Sequence, residues 1–200
     1  MSHETMWYLT RASALTAWAF LTLTVVWGAL VSGRFVHRKG GRRWLLDLHP
    51  YLGALGLGAL AIHIVTAIVN SYVGLTWLNV VVPFTSAWRA VGVGFGAIAM
   101  WLLVAVEGTS MLRRRMQRTT WHRIHVLSYA MAWMTAIHAV MSGTDLGNRG
   151  VAVGALLLVA TATGLAALRG LQSIADRSEP ATVAAQPWSP PTLTSIGGSR

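Results

Sequence analysis

The chain has no cysteine. Disulfides, iron–sulfur clusters and thiolate-held metals are therefore excluded, and thiols give no reading of the redox compartment. Charge is also scarce. Charged residues make up 11% of the 200, less than half of the roughly 25% usual in soluble domains. Lysine is nearly absent: Lys39 is the single one among 16 basic residues. That bias fits a GC-rich bacterial genome. No G-x-G-x-x-G fingerprint is present, so no dinucleotide-binding fold is expected.

What fills the chain is apolar sequence. Hydrophobic residues make up 54%, and they come in long blocks rather than amphipathic patterns. Spanning a bilayer takes about 20 apolar residues in a helix. Five segments reach that length: 12–33, 50–70, 90–112, 121–142 and 150–168. The expectation is an all-α membrane protein, a bundle of five transmembrane helices. Residues 1–11 would precede the helical domain, which runs over 12–170, and 171–200 would be a disordered cytoplasmic tail rich in Pro, Ser and Thr. The 71–89 stretch contains Gly74, Asn79 and Pro83, and reads as an outer loop.

Basic residues give the expected orientation. Arg34, Arg38, Lys39, Arg42 and Arg43 lie between segments 1 and 2, and Arg113, Arg114, Arg115, Arg118 and Arg123 between segments 3 and 4. Only Arg11, Arg89 and Arg149 fall on the opposite side. The positive-inside rule puts the first two groups in the cytoplasm and the N-terminus outside, in a multi-pass cell-membrane protein. The net charge of +10 is then topology, and no nucleic-acid partner is expected.

Four histidines stand out. His49 and His63 are fourteen residues apart in segment 2, and His125 and His138 thirteen apart in segment 4. Both segments run from inside to outside, so the four form two levels about 20 Å apart at 1.5 Å per residue. A polar side chain inside a bilayer is a functional hypothesis by default. One imidazole from each of two helices at one level is what a six-coordinate haem iron needs. The alternatives are hydrogen bonds to neighbouring helices, or zinc. Zinc lacks a carboxylate or thiolate near His122 and His125 to complete a tetrahedral site. His3 and His37 are expected at the surface. Fourteen residues nearly restore a helical face, whereas thirteen miss it by about 140°. Segment 4 must therefore be distorted between its histidines, or ligate from opposite flanks.

Lesser candidates follow from position. Gly53 and Gly56 would let a flat macrocycle approach the backbone, or serve helix packing. Arg89 at the outer mouth could meet a haem propionate or an anionic acceptor, or serve as an interfacial anchor; Arg43, Arg113 and Arg123 on the inner face could meet propionates or an acidic donor protein, or serve orientation alone. Glu107 is expected to pair with the nearby arginine run. Pro50 fits a helix N-terminus.

WHRIHVLSY at 121–129, with IHAVMSGTD at 137–145, resembles the ferric reductase-like transmembrane domain, the superfamily of ferric reductases, NADPH oxidases and the haem-binding subunit of methionine sulfoxide reductase systems. DLHPYLGALGLGALAIHI at 47–64 looks like its other haem helix, and PFTSAWRAVG at 83–92 also fits. The resemblance implies two stacked b-type haems on His49, His63, His125 and His138. It further implies electron transfer from a cytoplasmic donor to an extracytoplasmic acceptor such as a ferric chelate, oxygen or a redox protein. Many relatives add a sixth helix and a flavin domain. The donor here is therefore expected to be a flavoprotein, a flavin bound on the chain or on a partner, or quinol. An oxidoreductase, its electron-transfer or membrane-anchor subunit, a quinol-linked complex and a non-redox haem-binding subunit all remain open.

Overall fold

The computed structural model describes residues 3–32, 41–71, 73–144 and 147–178. Arg34, His37, Arg38, Lys39, Asp145 and the tail from 179 onward lie outside the described residues. Helices dominate: α1 (His3–Ser32), α2 (Gly41–Val69), α3 (Trp77–Val81), α4 (Ala90–Met111), α5 (Arg118–His125), α6 (Leu127–Ser142) and α7 (Arg149–Ser178). Among the described residues, five spans are long and apolar enough to cross a membrane, with α5 and α6 together forming one of them.

Three boundaries differ from expectation, each for a physical reason. Helix α1 begins nine residues earlier than the apolar block. Its hydroxyls make this cheap, because each returns its proton to a carbonyl one turn back: Thr10 to Met6 at 2.8 Å, Ser13 to Leu9 at 2.7 Å. Pro50 lies inside α2 rather than at its start. Its side chain is exposed, and it removes one backbone donor from the ladder without ending the helix. Helix α7 continues to Ser178, into the segment expected to be disordered from 171.

The fourth span is broken at Val126, directly after His125. The Tyr129 amide bonds to the Val126 carbonyl, a three-residue closure at 3.1 Å. The distortion that the thirteen-residue spacing demands thus falls between its two histidines.

The bundle is built from two pairs. Helix α1 packs along α2, and α4 along α6, while α2 and α6 make few close approaches to each other. Helix α7 leans on α1 and α6. A small core of Leu21, Val25, Leu103, Met131 and Ala132 joins the pairs. Between Trp77 and Arg89 the chain folds onto α4. The Trp101 indole donates to the Val81 carbonyl at 2.8 Å, and Phe84, at φ 65°, fills the space a Gly94 side chain would need. The Thr76 and Asn79 side chains form a capping box for α3.

Candidate functional site

The four histidines meet as two pairs. The His49 and His125 ring centres are 6.1 Å apart, with planes at 64°. Those of His63 and His138 are 6.5 Å apart, with planes at 72°. The apolar core lies between the levels. Gly56, packed on Leu21, is seven residues from both His49 and His63, and Met131 and Ala132 sit midway between His125 and His138.

Three of the four rings are held at Nδ1. His63 Nδ1 lies 3.0 Å from the Thr10 carbonyl, and His138 Nδ1 lies 2.7 Å from the Gly92 carbonyl. A carbonyl only accepts, so in the neutral ring the proton is on Nδ1 and Nε2 carries the lone pair. His125 Nδ1 lies 3.4 Å from the Ser110 hydroxyl. That hydroxyl already donates to the Val106 carbonyl at 2.7 Å, so it is left to accept from the ring. His49 Nδ1 is buried, with the Thr24 carbonyl beside it but outside hydrogen-bond geometry. A proton fixed on Nδ1 by a backbone or side-chain oxygen is the usual outer support of a metal-binding imidazole.

Packing restrains the rings further. A methyl on Gly96 would sit 2.6 Å from His138 Nδ1, and one on Gly28 would sit 2.9 Å from His49 Cε1. Both helices therefore need glycine where they back a histidine. The Trp121 ring stacks on His125, with centres 4.8 Å apart and planes at 24°. The Arg113 guanidinium lies 4.8 Å over the centre of that indole.

Around His63 and His138 opens a cavity of about 720 Å³. Its walls come from α1, α2, α4, α6, α7 and the segment around α3, and they are largely apolar. The volume suits a large organic ligand.

The donor sets decide what could bind. A bare zinc ion takes four protein or water donors. Among the described residues, no three His, Cys, Asp or Glu converge on a metal position. Each pair offers two imidazole nitrogens, which is what an iron already held by a four-donor macrocycle lacks. Two imidazoles on opposite sides of one metal, at about 2 Å per bond, have ring centres about 6 Å apart. Both pairs fit that spacing.

The other expected residues fall elsewhere. Gly53 faces the Glu107 carboxylate and Thr24 at ordinary contact distance, and Gly56 packs tightly against Leu21. Both therefore lie at helix contacts, outside the cavity wall. Arg89 is exposed, donates to the Met141 carbonyl at 2.8 Å and lies over Trp88. Arg123 and His122 are exposed on α5. The expected pairing of Glu107 with an arginine is not found among the described residues; its side chain is half-buried. Sequence reasoning missed Gly28, Gly96, Thr10, Ser110 and Arg11. For Gly96 a signal existed in the G-x-G-x-G stripe at 92–96, which also reads as ordinary helix packing.

No family model, curated protein or solved structure matches this chain.

Proposed function

We propose that the chain is a transmembrane b-type cytochrome, an electron conduit of the ferric reductase-like kind, with one haem between His49 and His125 and a second between His63 and His138. The observation that carries this reading is the doubled pairing. Two helices that barely touch each bring an imidazole to the same two levels, at spacings of 6.1 and 6.5 Å. Haem at each level would supply a reversible one-electron centre, and two such centres about 20 Å apart would link the membrane faces.

The chain's own residues supply the rest. Thr10, Gly92 and Ser110 keep the ring protons on Nδ1, leaving Nε2 of His63, His138 and His125 as ligands. Trp121 holds the His125 ring plane. Leu21, Val25, Leu103, Met131 and Ala132 keep the space between the levels dry. The arginines at 113–115, 118 and 123 cluster at the His125 end of the bundle. The positive-inside rule supports a cytoplasmic position for that end, which makes His63 and His138 the outer pair. With haem bound, the His49–His125 level would accept electrons from a flavoprotein or quinol, and the His63–His138 level would pass them to a ferric chelate, oxygen or a redox protein.

Purified protein from haem-replete cells should contain two haems per chain and show reversible b-type spectra with dithionite and oxygen. His63→Leu and His138→Leu should each reduce the content to one haem and leave the other's spectrum intact. Full haem content in both variants refutes the pairing. In proteoliposomes, reductant enclosed within should reduce an impermeant ferric acceptor outside.

A further inference from the structure

Glu107 lies inside the α4 span, and nothing in the haem reading uses it. A carboxylate at membrane depth is costly and marks a function by default. Among the described residues it has neither an ion pair nor a hydrogen bond. Two helices fix its height. On α2, Gly53 comes four residues after His49, and a methyl there would sit 3.7 Å from Glu107 Oε1. On α4, Glu107 comes three residues before Ser110, whose hydroxyl meets His125 Nδ1. The two helices run in opposite directions, since His63 and Gly92 both mark the far level. Steps of about 6 Å and about 4.5 Å along their axes therefore agree, and the carboxylate stands one turn to the core side of the His49–His125 pair. Helix α4 ends four residues further on at the exposed Met111, just before the arginines at 113–115. Nothing lies within 4 Å of a would-be Gly108 methyl, so the helix is open beside Glu107.

The titratable groups around this end of α4 are His49 and the exposed Asp47 on α2, Arg113 on the following turn, His122 and His125 on α5, and Tyr129 on α6. None of them is bonded to Glu107. The Arg113 guanidinium is placed over Trp121 instead. An electron arriving at the His49–His125 level is thus a new negative charge one turn from a carboxylate that no described cation pairs. Like charges at that range favour protonation of the carboxyl. By the reciprocity of linkage, the bound proton in turn favours the electron.

We infer that Glu107 is a proton-binding site coupled to the His49–His125 level, its carboxylate taking up one proton when that level gains one electron. The inference rests on the haem reading above. The electron comes from the flavoprotein or quinol donor. The proton comes from water at the arginine-bearing end and forms an O–H bond on Glu107. When the electron passes to the His63–His138 level, that bond breaks and the proton returns to the same water. Glu107 acts on the centre through charge and does not ligate it.

The test uses the full, haem-loaded chain in detergent. Both midpoint potentials are titrated spectroelectrochemically across pH, and the inner one is assigned with His63→Leu, which keeps only the His49–His125 haem. In wild type the oxidised-to-reduced ratio of the inner haem at fixed potential should rise by up to tenfold per pH unit, equal to about 59 mV downward for one electron. Glu107→Gln should flatten this slope and hold the inner potential near the wild-type value at low pH. Glu107→Asp should keep a slope, and so should His122→Gln. The outer haem should respond to pH alike in every variant. Reduced-minus-oxidised infrared spectra give a second reading: a protonated-carboxyl band should appear on reduction in wild type, move in Glu107→Asp and vanish in Glu107→Gln. Should the Gln variant not accumulate, the band and its movement in the Asp variant decide alone. An inner slope and carboxyl band unchanged in Glu107→Gln, or a band unmoved in Glu107→Asp, overturn the inference and leave the two-haem reading standing. A wild-type chain that carries no haem when made in haem-replete cells overturns that reading, and the inference with it.

Discussion

Replacing Gly96 with alanine probes the histidine site from behind. The added methyl would lie 2.6 Å from His138 Nδ1 and 2.8 Å from its Cε1, against about 3.4 Å for an ordinary contact. The ring must therefore retreat by roughly 0.8 Å, the difference between 3.4 and 2.6. It cannot do so and keep the 2.7 Å bond to the Gly92 carbonyl. Losing that bond costs about 1 kcal/mol, and forced repacking about 1–3 kcal/mol more. The better helix propensity of alanine returns about 1 kcal/mol at most. The net cost is about 1–3 kcal/mol, or roughly 5- to 150-fold in affinity for whatever the His63–His138 pair holds. Gly58→Ala is the matched control, because nothing lies within 4 Å of its would-be methyl. The assay is haemin titration of the apoprotein followed by absorbance, with thermal unfolding in detergent alongside. Gly96→Ala behaving like Gly58→Ala in both measurements refutes the claim that His138 is held against α4.

Two further outcomes follow from the contacts. Trp121→Ala removes both the stack on His125 and the seat of Arg113, and should weaken the His49–His125 site by about 1–2 kcal/mol, whereas Trp121→Phe should recover most of that; equal losses in haem titration would show that ring stacking is not the cause. Arg89→Ala removes the tie from the start of α4 to the Met141 carbonyl near the end of α6 and should lower the unfolding midpoint by a few degrees, with haem affinity at the His63–His138 pair nearly unchanged.

The spans were legible because hydropathy needs only local sequence, and the two histidine levels because rise per residue is fixed. The helical face of His138 was not legible. A thirteen-residue spacing calls for a distortion but does not say where, and the break at Val126 depends on how α5 and α6 each pack against α4. Gly28 and Gly96 were hidden for a related reason. A glycine's role depends on what lies opposite, and Gly28 faces His49 only because α1 and α2 lie side by side. Arg11 looked like a flank of the first span. It became a wall residue because α1 starts at His3 and carries it inside the helix. Glu107 shows the converse error: closeness in sequence to Arg113 suggested an ion pair, but its carboxylate lies beside Gly53 instead.

The two-pair architecture bears on biogenesis. Helices α1 and α2 are consecutive in the chain, and so are α4 and the α5–α6 span. Each half is therefore a hairpin that can close during insertion using contacts local to itself. The halves then need only approach laterally, and on the proposed two-haem reading a flat prosthetic group would enter between finished walls instead of waiting in an unfolded chain. Loading would then be a late and separable step, and on that reading a cell short of porphyrin should accumulate inserted, pale protein ready to be filled.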